Sequence, residues 1–196
     1  MFEKIIQKEV IMNKNLNRIT AGGVLIAFAI LIPQVFHLTG VPRSGQVFLP
    51  MHIPVLLSGF VIGPIFGMIV GMLSPIISSF LTGMPDMGRL PFMVLELATY
   101  GLVSGIVYQY FRQKSKKLSS YVSLIGAMIC GRMVYAVSLF VAARILNLAV
   151  SGPFAVITSI ATGAVGILIQ IVIIPPLVYL LEKSGSLDRF FRICTQ

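Results

Sequence analysis

Apolar residues run along this chain in six long stretches, at about 19–36, 51–63, 64–82, 92–111, 120–146 and 157–182, separated by Gly, Pro, Ser and clustered charge. A membrane-spanning helix needs about 20 mostly apolar residues. The pattern therefore predicts an all-α fold, an integral membrane protein with six transmembrane helices in one compact bundle. Only Gly63-Pro64 divides the second stretch from the third. Proline suits the first turn of a helix, where its missing N–H would be unpaired anyway, so these two stretches are expected to form a tight hairpin.

The polar positions orient the bundle. Lys4, Lys8, Lys14 and Arg18 precede the first stretch, Arg112, Lys114, Lys116 and Lys117 follow the fourth, and Lys183, Arg189 and Arg192 follow the sixth. Short loops rich in Lys and Arg stay cytoplasmic. With six spans these three clusters share one side, which places both termini in the cytoplasm; the opposite loops hold only Arg43 and Arg89. Residues 1–18 are then a cytoplasmic N-terminal segment, 19–183 the membrane domain and 184–196 a cytoplasmic tail. The opening "MFEKIIQKEVI" is too mixed in charge for a signal peptide, and Met12 offers a second start.

Composition agrees with this picture and narrows it. The chain has 196 residues, 57% hydrophobic and 11% charged, with a mean hydropathy of +0.96, far from the soluble range. A net charge of +9 raises the question of nucleic acid, but the bases sit beside the spans and form no stripe interleaved with aromatics. No nucleic-acid partner is expected. Cys130 lies in an apolar stretch and Cys194 in the tail, without metal-ligand spacing, so neither a disulfide nor a metal site is indicated.

Gly59, Gly63, Gly67 and Gly71 recur at every fourth position, with Gly101 and Gly105 in the fourth stretch and Gly23 and Ala27 in the first. Such spacing makes a smooth helix face that admits close approach. It serves either packing inside the bundle or docking of a partner membrane protein. Pro75 frees a backbone carbonyl inside the third stretch and predicts a kink there.

Candidate chemistry lies where ionisable residues enter the apolar stretches, because charge in a membrane is costly and points to a ligand or a partner. Glu96 and Tyr100 are four residues apart and share a helix face. Arg132 stands near the middle of the fifth stretch, either pairing with Glu96 as a structural bridge or meeting a ligand; Arg144, twelve residues on, points about 120° away. Thr158, Thr162, Gly166 and Gln170 form a polar and small stripe on the sixth. His37 and His52 flank the long first outer segment, which with "TGMPDMGRLP" and "NLAVSGP" forms three irregular loops over one end. Arg43, Arg89, Arg132 and Arg144 outnumber Asp86 and Glu96 there, which favours an anionic or strongly polar ligand. No phosphate-binding loop, H-E-x-x-H or G-x-S-x-G motif is present. An enzyme is not expected, and the chain alone cannot use ATP.

The segments "FLPMHIPVLLSGFVIGPIFGMIVGMLSPIISSFLTGMP" and "PFMVLELATYGLVSGIVY" resemble the substrate-binding S component of energy-coupling factor (ECF) vitamin transporters, over about Asn17 to Lys183. The resemblance implies a six-helix membrane protein that binds a vitamin or its precursor in its outer half, in a pocket lined by loops one, three and five and spans four to six. In this sequence the corresponding candidates are Arg43, Gln46, His52, Arg89, Glu96, Tyr100, Arg132, Asn147 and Gln170. It further implies a transmembrane coupling protein and two cytoplasmic ATPases as partners, ATP being used by them with no cofactor in this chain. Family members dock on the coupling protein through small residues in span one, often A-x-x-x-A; Gly23 and Ala27 stand at that spacing. The bound S component is thought to topple in the membrane to carry substrate inward. Among the branches the sequence is most similar to pantothenate-type members, with folate, hydroxymethylpyrimidine, pyridoxine, cobalamin and queuosine-precursor members as further candidates. An ion-coupled secondary carrier is the alternative class.

Overall fold

The computed structural model describes residues 2–38, 44–112, 116–144, 158 and 161–185, and all regular structure among them is helical. We number the helices α1 (Phe2–Leu38), α2 (Ser44–Phe48), α3 (His52–Ile62), α4 (Pro64–Thr82), α5 (Leu90–Phe111), α6 (Lys116–Arg144) and α7 (Ala164–Lys183). Five contain segments long and apolar enough to cross a membrane: Asn15–Val35 of α1, α4, α5, Leu118–Arg144 of α6, and α7; α3 is apolar but shorter. Large hydrophobic side chains stand exposed along them, among them Leu31, Val35, Phe80, Ile129 and Val172, as expected where lipid is the solvent.

Several expectations are corrected in detail. Helix α1 continues without a break through residues 2–18 and through Pro33, starting well before the apolar stretch and ending close to its expected end. The first outer segment is not irregular throughout, since α1 runs to Leu38 and α2 makes a helical turn within it. Helix α7 begins at Ala164 rather than 157, because Gly163 is a turn; Thr158, Ala161 and Thr162 before it are helical. Apart from these corrections, α4 runs as one assigned helix with Pro75 buried inside it.

The short α3 is the hub of the bundle. It packs against α1, α4, α5 and α7, and its Val55, Leu56, Phe60 and Ile62 form the centre of the core with Val70, Leu97, Tyr108, Leu124, Ile174 and Val178. At Gly63 the chain reverses with φ 92°, a conformation for which glycine lacks the penalty of a Cβ. Pro64 then opens α4 at its first position, as the hairpin reading required.

Glycine explains how α3, α4 and α5 come so close. A Cβ on Gly67 would stand 2.7 Å from the Gly101 carbonyl oxygen, and one on Gly105 2.7 Å from Pro64 Cα; Cβ atoms on Gly59 and Gly71 would collide with the α5 backbone at Gly101 and Leu97. Ser104 Oγ donates across the same seam to the Leu56 carbonyl at 3.2 Å. Of the two purposes open to these glycines, internal packing is the one observed. Gly23 differs, because it is exposed and nothing lies within 4 Å of the position its Cβ would take.

The bundle has two chemically distinct ends. At the Gly63 end, Arg18 of α1 lies over the Phe66 ring, 5.4 Å to its centroid. There also Glu182 of α7 accepts a hydrogen bond from Tyr108 of α5 and lies 3.8 Å from Arg112 Nε. The opposite end holds α2, His52 and the loop from Gly83 to Arg89.

Candidate binding site

The candidate residues gather at the His52 end because three helices deliver them to one depth. Glu96 stands six residues into α5, about 9 Å along its axis at 1.5 Å per residue, and Tyr100 one turn further on the same face. The Tyr100 hydroxyl donates to Glu96 Oε1 at 2.7 Å, and Arg132 of α6 brings Nη1 to 3.1 Å from the same oxygen. All three side chains are largely buried. The ion pair that the sequence left as one of two possibilities is therefore formed, while Arg144 is exposed at the end of α6.

Tyr100 fits there because Gly131 leaves room. The tyrosine ring occupies the space a Cβ at Gly131 would need, so α6 presents a flat patch to the ring and, at the next residue, a cation to the carboxylate. His52 lies on the other side of Tyr100, ring centroids 5.3 Å apart and tilted by 54°. It is buried at 4% exposure, and neither Nδ1 nor Nε2 has a hydrogen-bond partner. Each buried polar atom left so costs about 1–3 kcal/mol, which a bound group could recover.

Gln170 reaches the cluster's edge rather than its centre. Its Nε2 lies 3.5 Å from the Leu49 carbonyl oxygen, a long contact by hydrogen-bond standards, and that oxygen also accepts from the His52 backbone N–H at 3.0 Å. Leu49 itself has φ 49°, unusual for a side-chain-bearing residue. One turn away, Gly166 allows the Phe48 carbonyl to approach to 2.6 Å of where a Cβ would be. Together these contacts fasten α7 to the turn between α2 and α3.

Not every candidate joins. Arg89 is about 60% exposed and bonded to Asp86, Nε to Oδ2 at 3.6 Å, within its own loop. Arg43 and Asn147 lie outside the described residues, as do the side chains of Gln46 and His37. Thr158 and Thr162 are exposed, so only the Gly166 and Gln170 half of the polar stripe turns inward. Arg89 and Arg132 both have acidic partners, so neither side chain stands as an isolated cation. Among the described residues no group of His, Cys, Asp and Glu could hold a metal ion; Cys130 is free and exposed.

Sequence reasoning missed Gly131, Leu49 and Tyr135. The half-buried Tyr135, three residues beyond Arg132 and so on the same side of α6, lies within electrostatic reach of both Glu96 and Arg132. Its i,i+3 spacing from Arg132 was a usable signal. Gly131 could have been suspected only from its place beside a buried arginine.

Comparison with curated proteins and with solved structures returns no match. A family model described as "ECF transporter, substrate-specific component" matches residues 17–178, nearly the whole membrane bundle. With five long apolar helices and the shorter α3 along the chain, this is a multi-pass protein of the cell membrane, and the chain belongs to the family of substrate-binding components of ECF importers.

Proposed function

We propose that this subunit captures a vitamin or vitamin precursor at the His52 end of the bundle and passes it inward with a transmembrane coupling protein and two cytoplasmic ATPases. The observation that carries the reading is the buried convergence of His52, Glu96, Tyr100 and Arg132 from three helices. Polar clusters inside membrane proteins are costly and mark ligand paths. Pantothenate, folate, hydroxymethylpyrimidine, pyridoxine, cobalamin and a queuosine precursor form the candidate set. The chain acts by binding rather than by catalysis, and ATP is hydrolysed by its partners.

The His52 end faces outward in this reading, since Arg18, Arg112 and Lys183 gather at the other end and basic segments stay cytoplasmic. Gly23 and Ala27, exposed one turn apart on α1, offer the small-residue face on which the coupling protein would dock.

Mass spectrometry of the small molecule that accompanies the purified chain tests the substrate class. Vesicles holding this chain with its partners should accumulate that molecule only with internal ATP. Uptake by the chain alone, driven by a proton or sodium gradient, would replace this reading with a secondary carrier. Arg132→Lys, which keeps the charge but loses the planar fork, should weaken binding about tenfold.

A further inference from the structure

The charge carried by the cluster restricts what it can hold. Arg132 Nη1 and Glu96 Oε1 stand 3.1 Å apart, so the buried cation already has its anion. The Tyr100 hydroxyl is committed to the same carboxylate oxygen, and His52 packs against the Tyr100 ring. Of the other described cations at this end, Arg89 is bonded to Asp86 in an exposed loop and Arg144 is exposed. A carboxylate brought against this cluster would add a negative charge that none of the described residues there is free to balance, inside the membrane, where desolvation is least forgiving.

The unused polar capacity has a different character. A neutral imidazole offers one N–H donor and one acceptor nitrogen, and both nitrogens of His52 are buried without partners. That pair suits an uncharged group able to donate and accept at once, such as a hydroxymethyl group or the edge of a nitrogen heterocycle. An acid would satisfy the donor, yet it would set its charge near Glu96.

We propose that the group received by the His52–Tyr100–Glu96–Arg132 cluster is uncharged and hydrogen-bonding, and that the cluster discriminates against a carboxylate at that position. The inference rests on the reading of this cluster as the substrate site. It divides the candidate set, placing hydroxymethyl heterocycles ahead of carboxylates such as pantothenate and folate.

Two matched pairs, each differing by a carboxylate in place of a hydroxymethyl group, provide the test: pyridoxine against 4-pyridoxic acid, and pantothenyl alcohol against pantothenate. Binding is measured by calorimetry on the full chain in lipid nanodiscs. At least one of the two alcohols should bind, at least tenfold more tightly than its acid, and failure of both alcohols to bind overturns the inference. His52→Ala should weaken the alcohol at least tenfold. Glu96→Gln, close in shape to the native residue, leaves Arg132 without its anion and should move the acid-to-alcohol preference at least tenfold toward the acid. A wild-type protein preferring the acid, with that affinity reduced by Arg132→Lys, overturns the uncharged-ligand inference but keeps the site. Affinities indifferent to His52→Ala, Glu96→Gln and Arg132→Lys alike overturn the site itself.

Discussion

Arg132 and Glu96 show how far single residues can be read from sequence. Their presence inside apolar stretches was visible, and so was the shared face of Glu96 and Tyr100, because helix periodicity fixes which residues are neighbours. Their meeting across α5 and α6 was one possibility of two, since spacing within a helix says nothing about which other helix it faces. Removing one member of a buried ion pair typically costs about 3–5 kcal/mol by leaving the other uncompensated. Arg132→Met should therefore lower the unfolding midpoint in detergent more than the double variant Arg132→Met/Glu96→Gln does; an equal or smaller loss in the single variant would mean that the pair is not coupled. Gly131→Ala tests the neighbouring packing. Its methyl would occupy the Tyr100 ring position, so the variant should be destabilised by roughly 1–3 kcal/mol, the usual range for overpacking.

Among the elements, the α3–α4 hairpin was the most legible, because Gly63-Pro64 combines a backbone reversal with a favoured helix start. The glycine ridge was legible as a close-packing face, although its partner was not. Only the structure pairs Gly59, Gly67 and Gly71 with the backbone of α5. Gly67→Leu should thus lower the unfolding midpoint strongly, whereas Gly23→Leu, placed in open space, should leave it within experimental error. The short α2 escaped notice because five residues are too few to carry a periodic signal. Also unforeseen was the tie between α5 and α7. Helix α7 packs mainly on α6, α2 and α3, and Glu182 joins it to Tyr108 and Arg112 of α5 at the Gly63 end. Glu182→Gln or Tyr108→Phe should loosen that end alone. Spin labels at exposed positions 106 and 180 would report a broader distance distribution, and an unchanged one would assign the tie no role in holding α7.

At the scale of the whole molecule, hydropathy was sufficient to identify a membrane bundle, and charge asymmetry supplied an orientation. Cysteine labelling should find residue 87, in the loop beside Arg89, reactive from outside intact cells, and residue 185 reactive only after permeabilisation. The reverse pattern would turn the candidate site toward the cytoplasm. The exposed face around Gly23 and Ala27 belongs to the same scale. Gly23→Leu should reduce recovery of the coupling protein with this chain while ligand binding stays intact, because the two ends of the bundle are chemically separate.

The length of α3 adds a constraint of depth. Eleven helical residues rise about 17 Å, whereas the hydrocarbon slab is about 30 Å thick. A helix of that length, starting from the turn at Gly63, therefore falls roughly 13 Å short of what a full crossing needs, and His52 hangs at its end like a plumb weight on a line of fixed length. Lengthening α3 by one turn would raise the imidazole toward the water and carry it past the Tyr100 ring, so the distance a solute must sink before it is recognised is written into the count of residues in one helix.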